Sequence, residues 1–228
     1  MGGSILGNRV LRKEDPKFLT VGGTYVDDMN DEPLLDGALH VTYVRSQVAH
    51  GKILSIDTAE AVTMPGVAAV YTAADLELQP MPAAFNPTVS RTLLASDKVR
   101  YVGEPIAAII SQDRSQGADA VGAVIVDIDP LPTLVDVEEA MTSSNLIYDG
   151  AGSNVVFDTT VLGMPENSGD AFFEGCEVVV KGRFMNQRVA PCPLEVRGSA
   201  ATWSDGRLLQ WISTQHAQGV KDAVVAVN

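Results

Sequence analysis

Cysteine is nearly absent: among 228 residues there are two, Cys176 and Cys192, set apart and matching no metal-binding spacing such as CxxC. A cysteine-built metal centre is thereby excluded, and both thiols are expected to be reduced and packed in the interior, the common fate of an isolated intracellular cysteine. Histidine is scarce too. His40, His50 and His216 are too scattered along the chain to suggest a metal site by spacing. Basic side chains are outnumbered, 16 against 29 acidic, and the resulting net charge of −13 repels phosphate backbones and anionic lipid headgroups alike. No nucleic-acid partner is expected. No apolar run approaches the roughly 18 to 20 residues that cross a bilayer, so no membrane span is expected. The opening MGGSILGNRVLRKEDPKF has too short an apolar stretch for a secretory signal, and a cytoplasmic location is the expectation.

What is present is the composition of an ordinary soluble protein, 46% hydrophobic and 20% charged, long enough for one large domain or two modest ones. From residue 36 to about 132, strand-like and helix-like stretches alternate. GALHVTYVRS (37–46) has period-two alternation and β-branched residues, and TAEAVTMPGV (58–67) starts at a Thr cap and ends at Pro65-Gly66 as a helix should. Residues 68–72, 98–102, 106–111 and 125–129 read as strands. The Pro-rich stretch 79–87 is a surface loop. Residues 113–124 read as a helix capped by Asp113 and weakened by two glycines. Gly103-Glu104-Pro105 forms a rigid turn between strands, with glycine supplying unusual backbone angles and proline fixing its own. Glu104 is expected to hold that turn or a neighbouring domain by hydrogen bonds.

Between residues 138 and 169 the pattern loosens into Ser, Asn, Gly and Pro, as a connection does. Beyond it, 177–188, 199–204 and 207–214 read as strands, the last two joined at Ser204-Asp205-Gly206 as a hairpin. Residues 216–227 read as the start of a helix. Two or three strands and one helix make a thin second core, so further polypeptide is expected downstream. The fold class is mixed α/β.

Six collinear segments carry a resemblance. RKEDPKFLTVGGTYVDD (12–28), VRSQVAHGKILSIDTAEAVTMPGVAAVYTAADL (44–76), VRYVGEPIAAIIS (99–111), DIDPLPTLVDVEEA (127–140), NQRVAPCPLEVRGSAATW (186–203) and WISTQHAQGVKDAV (211–224) resemble, in this order, the start of the molybdenum-cofactor-binding large subunit of the xanthine dehydrogenase and aldehyde oxidase family, which includes aerobic carbon monoxide dehydrogenase large chains. The resemblance implies a hammerhead-type α/β domain with an N-terminal extension over residues 1–140, a linker over 141–170 and the truncated start of a cofactor-binding α+β domain over 171–228. It also implies that the complete enzyme hydroxylates an electron-poor carbon of an aldehyde or N-heterocycle, with water as the oxygen source. Its cofactor would be a molybdopterin-type molybdenum centre, with iron–sulfur clusters and FAD on partner subunits. The family's glycine-rich loop and its late glutamate base have no counterpart here, so the isolated chain is expected to hold no cofactor and to be inactive. Its implied partners are the remainder of the large subunit, an iron–sulfur subunit, a flavin subunit and a small-molecule substrate. Two alternatives stand beside this reading: a non-catalytic assembly module or split subunit that docks the iron–sulfur and flavin partners, and carbon monoxide oxidation in the complete enzyme. Val21 and Gln218 depart from the family pattern, where Gly and His or Phe are common.

By the same resemblance, Gln215 in Trp211-Ile212-Ser213-Thr214-Gln215 matches the glutamine whose amide hydrogen-bonds the molybdenum centre, making it the one catalytic and cofactor-binding candidate. A neutral amide can orient a ligand without becoming a competing acid. His216 ranks below it. Glu195 and Arg197 alternate on an expected strand, where a structural ion pair is preferred over a place lining the substrate funnel. His50 is expected to be an ordinary hydrogen-bonded histidine.

Overall fold

A computed structural model describes residues 7, 11–81, 83, 86–157 and 170–228. In chain order the regular elements are α1 (Asp15–Thr20), β1 (His40–Arg45), β2 (Gly51–Asp57), β3 (Val67–Thr72), β4 (Lys98–Val99), β5 (Pro105–Ser111), α2 (Arg114–Val121), β6 (Ile125–Pro130), α3 (Val137–Thr142), β7 (Ser199–Ser204), β8 (Arg207–Ile212) and α4 (Ala217–Val227). They fall into two compact units. One takes Met1–Gly37 and Gln187–Ala217, the other Ala38–Asn186 and Gln218–Asn228.

The larger unit holds two antiparallel three-stranded sheets, ordered β1-β5-β3 and β4-β2-β6. β5 is central because it is apolar on both faces: Ile106, Ala107 and Ile109 are all buried, whereas β1 buries only Val44 and exposes Val41 and Tyr43. Fully burying each such isoleucine contributes roughly 1.5–3 kcal/mol. Val44, Ala107 and Ile109 form one core cluster with Ala120 of α2, and Ala95, Val99 and Ile106 form a second. Ile56 of β2 and Val126 of β6 pack against both clusters, so one continuous core joins the two sheets.

The Asp113 cap forms as expected: its carboxylate accepts the Ser115 N–H at 2.8 Å, and Gln116 returns a bond to the Asp113 N–H, closing a capping box. Those hydrogen bonds, the Ser115 hydroxyl first, hold the Asp113 carboxyl below its usual pKa. α2 lies close over the sheet because Gly117 has no side chain where Thr42 and Ser111 approach. The turn before β5 is also built as expected. Gly103 takes a φ of +92°, its N–H donates to Ser46 O at 2.7 Å, and the Glu104 carboxylate accepts the Arg100 N–H.

In the smaller unit, β7 and β8 form a hairpin in register from Ser199↔Ile212 to Ser204↔Arg207. Asp205 and Gly206 both have positive φ, 50° and 73°, the pair of left-handed residues that a two-residue hairpin loop requires. Gly198 lies against Val26, where a β-carbon would sit 3.1 Å from the Val26 Cβ.

Four expectations are corrected. The stretch read as a helix from Thr58 contracts to one 3-10 turn, Ala61–Thr63, since Pro65 and the positive φ of Gly66 cut it short. The strand over 98–102 is reduced to β4, and residues 100–104 instead form the turn. Residues 177–188 form no regular element and belong to no sheet. Among the described residues, no backbone–backbone hydrogen bond involves 177–197. Cys176 and Cys192 are both exposed rather than buried, because each lies in or beside this unpaired stretch. The loop expected over 79–87 and the linker expected over 141–170 include residues 82, 84, 85 and 158–169, which lie outside the described residues, as do residues 1–6 and 8–10 of the opening segment.

The helix α3 is capped by Asp136, whose carboxylate accepts from Glu138 N and Glu139 N, both at 2.9 Å. The stretch after it is held by side chains. Asn154 donates to Ala140 O and Asn145 O and accepts from Ile147 N, while Asn145 donates to Pro132 O at 2.7 Å.

Candidate functional site

Gln215 follows β8 by three residues and precedes α4 by two. Ser213 fixes the strand's continuation: its N–H donates to Gly198 O at 3.2 Å, and its hydroxyl accepts the Gly198 N–H at 3.1 Å and donates to Val196 O at 3.3 Å. Thr214 Oγ1 then accepts the His216 N–H at 3.1 Å, a local turn that ends the extended run and starts the approach to α4. Between those two anchors Gln215 is exposed, and its amide makes no hydrogen bond to any described residue. A primary amide in that state offers two donors and an acceptor to an incoming group and carries no charge that a pH change would alter. His216 is exposed beside it.

The other sequence-derived candidates do not converge on Gln215. Glu195 is half-buried in a bend and Arg197 exposed in no regular element, so neither lies on a strand; no ion pair joins them, and the expected pairing is not formed. His50 lies in the larger unit, 1% exposed, and its Nδ1 is 2.9 Å from Pro132 O. A carbonyl oxygen only accepts, so Nδ1 carries the proton. This matches the ordinary hydrogen-bonded role expected of it, although Nε2 is buried with no partner among the described residues. Among the described residues, no group of three or more His, Cys, Asp or Glu could hold a metal ion.

Charged residues that the sequence reading passed over sit in the larger unit. Lys98, 8% exposed, places Nζ 2.5 Å from the Asp149 carboxylate, and the Arg100 guanidinium stacks 4.8 Å from the centre of the Tyr148 ring. The Lys98 hydrogen bond holds the Asp149 carboxyl below its usual pKa. Nothing in the spacing of these residues announces the pairing, since 51 residues separate Lys98 from Asp149.

The family model described as "Aldehyde oxidase and xanthine dehydrogenase, a/b hammerhead domain" matches residues 20–132, and that of the molybdopterin cofactor-binding domain follows it over 147–228. The chain belongs to the xanthine dehydrogenase and aldehyde oxidase family. It is 34% identical to the nicotine 6-hydroxylase large subunit of Paenarthrobacter nicotinovorans over 96% of its own length and 27% of that protein. Against the carbon monoxide dehydrogenase large chain of Hydrogenophaga pseudoflava the identity is also 34%, over 95% of this chain and 28% of the relative. Among solved structures, quinoline 2-oxidoreductase from Pseudomonas putida 86 superimposes with a TM-score of 0.75 at 30% identity, over 96% of this chain and 28% of that one. The chain thus spans little more than a quarter of the length of these relatives. The fold expected from the resemblance, a hammerhead α/β domain followed by the start of a molybdenum-cofactor-binding domain, is the fold found. No helix among the described residues is long and apolar enough to cross a membrane.

Proposed function

We propose that this chain acts as the N-terminal portion of a molybdenum hydroxylase large subunit, supplying the hammerhead domain, one wall of the cofactor cavity and the Gln215 amide. Hammerhead-type structure would extend to about residue 140, a connection over 141–170, and the cofactor-binding domain from 171 onward. The observation that carries this reading is the free, exposed amide of Gln215 at the end of β8, inside the segment matched by the molybdopterin cofactor-binding domain. The donor set fits the group: a metal that arrives with its pterin ligands needs hydrogen-bond donors from the protein, and a neutral amide supplies them without a competing proton. When bound, that cofactor supplies the redox chemistry that lets water serve as the oxygen source.

The unpaired segment points the same way. Between residues 177 and 197 the chain forms no regular element, and Val180, Phe184 and Leu194 are 88%, 92% and 94% exposed. An exposed apolar stretch without backbone–backbone hydrogen bonds to any described residue suits a surface that other polypeptide covers. The complete enzyme would oxidise an N-heterocycle or aldehyde, with electrons leaving through iron–sulfur and flavin partners in the cytoplasm. Carbon monoxide oxidation is the second reading, favoured by the similarity to carbon monoxide dehydrogenase large chains.

The test is metal analysis and turnover of the chain alone and after co-expression with the polypeptide that completes its relatives. Stoichiometric molybdenum and heterocycle hydroxylation should require both pieces. Stoichiometric molybdenum on the chain alone would refute the assignment.

A further inference from the structure

The hammerhead unit carries a pocket, of about 100 Å³, that the Gln215 reading does not use. Its lining includes Met81, Leu93 and Pro105 as apolar wall, the exposed Arg91 and Tyr101, and Glu104, a buried acidic residue. Several parts of that wall are fixed by hydrogen bonds. Met81 N donates to Arg91 O at 2.8 Å, Ala95 N to Pro105 O at 2.8 Å, and Arg91 to the Tyr101 hydroxyl at 2.9 Å. Glu104 itself is 4% exposed; its Oε2 accepts the Arg100 N–H, and among the described residues no ion pair reaches it.

We propose that this pocket is a socket for one basic side chain, lysine or arginine, presented by a partner polypeptide. Three observations select that occupant. The volume is well below the roughly 300–1,000 Å³ of metabolite pockets and matches the share of about three waters, at about 30 Å³ each, so it suits the end of one side chain with its stem against Met81, Leu93 and Pro105. An ionised carboxylate only accepts hydrogen bonds, and a buried one is stabilised by a cationic donor that replaces lost water. The chain as a whole carries a net charge of −13, which draws a basic partner surface toward it. Arg91 does not fill the role, since it is exposed and its guanidinium is engaged by the Tyr101 hydroxyl. Burial keeps the Glu104 carboxyl above its ordinary pKa in spite of Arg100 and Arg91, which indicates that the charged form is short of partners here.

Ethylguanidinium is the probe, titrated into the full chain at constant ionic strength and followed by the amide resonances of Arg100, Tyr101 and Glu104. A saturable shift is expected, weakened about ten-fold or more in Glu104→Gln, the scale on which a charge-assisted hydrogen bond exceeds a neutral one. Leu93→Trp, which keeps the carboxylate and fills the pocket, should abolish it and decides the matter where Glu104→Gln fails to fold. Propionamide and propionate serve as neutral and anionic competitors on the unaltered chain. A non-saturating response, equal binding of either competitor, or an unchanged response in the variants would overturn the proposal. The result is independent of Gln215, because neither metal content nor turnover enters the measurement.

Discussion

Lys98, nearly buried, meets Asp149, largely exposed, with Nζ 2.5 Å from the carboxylate. The first lies within the stretch matched as hammerhead domain and the second within the stretch matched as cofactor-binding domain, so the ion pair ties the two family segments together inside one compact unit. The partners are unequal, and the asymmetry sets the prediction. Asp149→Asn strands the Lys98 charge where water reaches it poorly, and should cost about 1–2 kcal/mol, between the values of surface and fully buried pairs. Lys98→Met frees an aspartate that is already solvated, and should cost less than about 0.5 kcal/mol. Urea midpoints at unchanged m-value would measure both, and the reverse order would show that the lysine's charge is not what holds the segment. The pair's contribution is present above the ordinary Asp149 pKa of 3.8 and is lost as pH falls through its lowered folded value.

Glu104 works in the opposite direction. Burial raises its folded pKa above the ordinary 4.5, so the folded state binds the proton more tightly than the unfolded chain does. Stability therefore falls as pH rises from about that ordinary value through the raised folded one. Glu104→Gln keeps an acceptor for the Arg100 N–H and removes the ionisation. The variant should lose this decline and gain stability relative to the parent at neutral pH compared with acid pH, as read from urea midpoints at the two values. A parallel pH dependence in parent and variant would rule out Glu104 as its source.

Local signals carried much of the larger unit. Asp113 followed by Gln116 writes a capping box, Gly103 next to Pro105 writes a turn, and the alternation through Val44 writes β1. What such signals leave out is the partner. Residues 177–188 have the β-branched content of a strand and pair with no described segment, because a strand is a relation between two segments and composition specifies only one of them. The converse case is β2, whose Gly51–Asp57 run was not singled out and which pairs with both β4 and β6. Its opening glycine is required by packing, since a β-carbon at Gly51 would meet the Asp129 carbonyl oxygen at 3.0 Å. Gln215 was legible only through resemblance, as nothing in its neighbours distinguishes it from a solvated strand-end residue.

Gly117 tests whether helix propensity or packing governs α2. On an exposed helix Gly→Ala would gain about 1 kcal/mol. Here the added carbon would lie 2.8 Å from the hydroxyl of Ser111, a fully buried residue, and closer still to that of Thr42. Overpacking of this kind costs about 1–3 kcal/mol, so Gly117→Ala should destabilise in spite of its better propensity. Thermal and urea unfolding would read the sign directly.

Both cysteines should react with a thiol reagent in the native chain without denaturant, because both are exposed. The expected count is two per chain. Cys192 also holds a φ of 42°, an unusual conformation for a residue with a side chain, just before Pro193. Cys192→Gly should relieve that strain and leave stability unchanged or slightly higher, measured by thermal unfolding. In an assembled large subunit the same reagent would report whether other polypeptide covers the unpaired stretch, since protection would then appear at these thiols.

Gln215 supplies the sharpest test of the functional assignment. Its side chain touches no described residue through a hydrogen bond, so Gln215→Ala should leave the fold and its unfolding midpoint unchanged. On the proposed function, the same change in the complete enzyme would remove an amide donor from the molybdenum centre, and losses of about 10- to 100-fold in activity are typical when a supporting hydrogen bond at a metal site is removed. The expected outcome is a fall in kcat of that size with molybdenum content per chain held constant. Gln215→Asn, which shortens the arm but keeps the amide, should fall between parent and Ala. Parent-like kcat in Gln215→Ala would remove this residue from the active site, whereas loss of molybdenum with loss of rate would make it an anchor of the cofactor and not a partner in turnover.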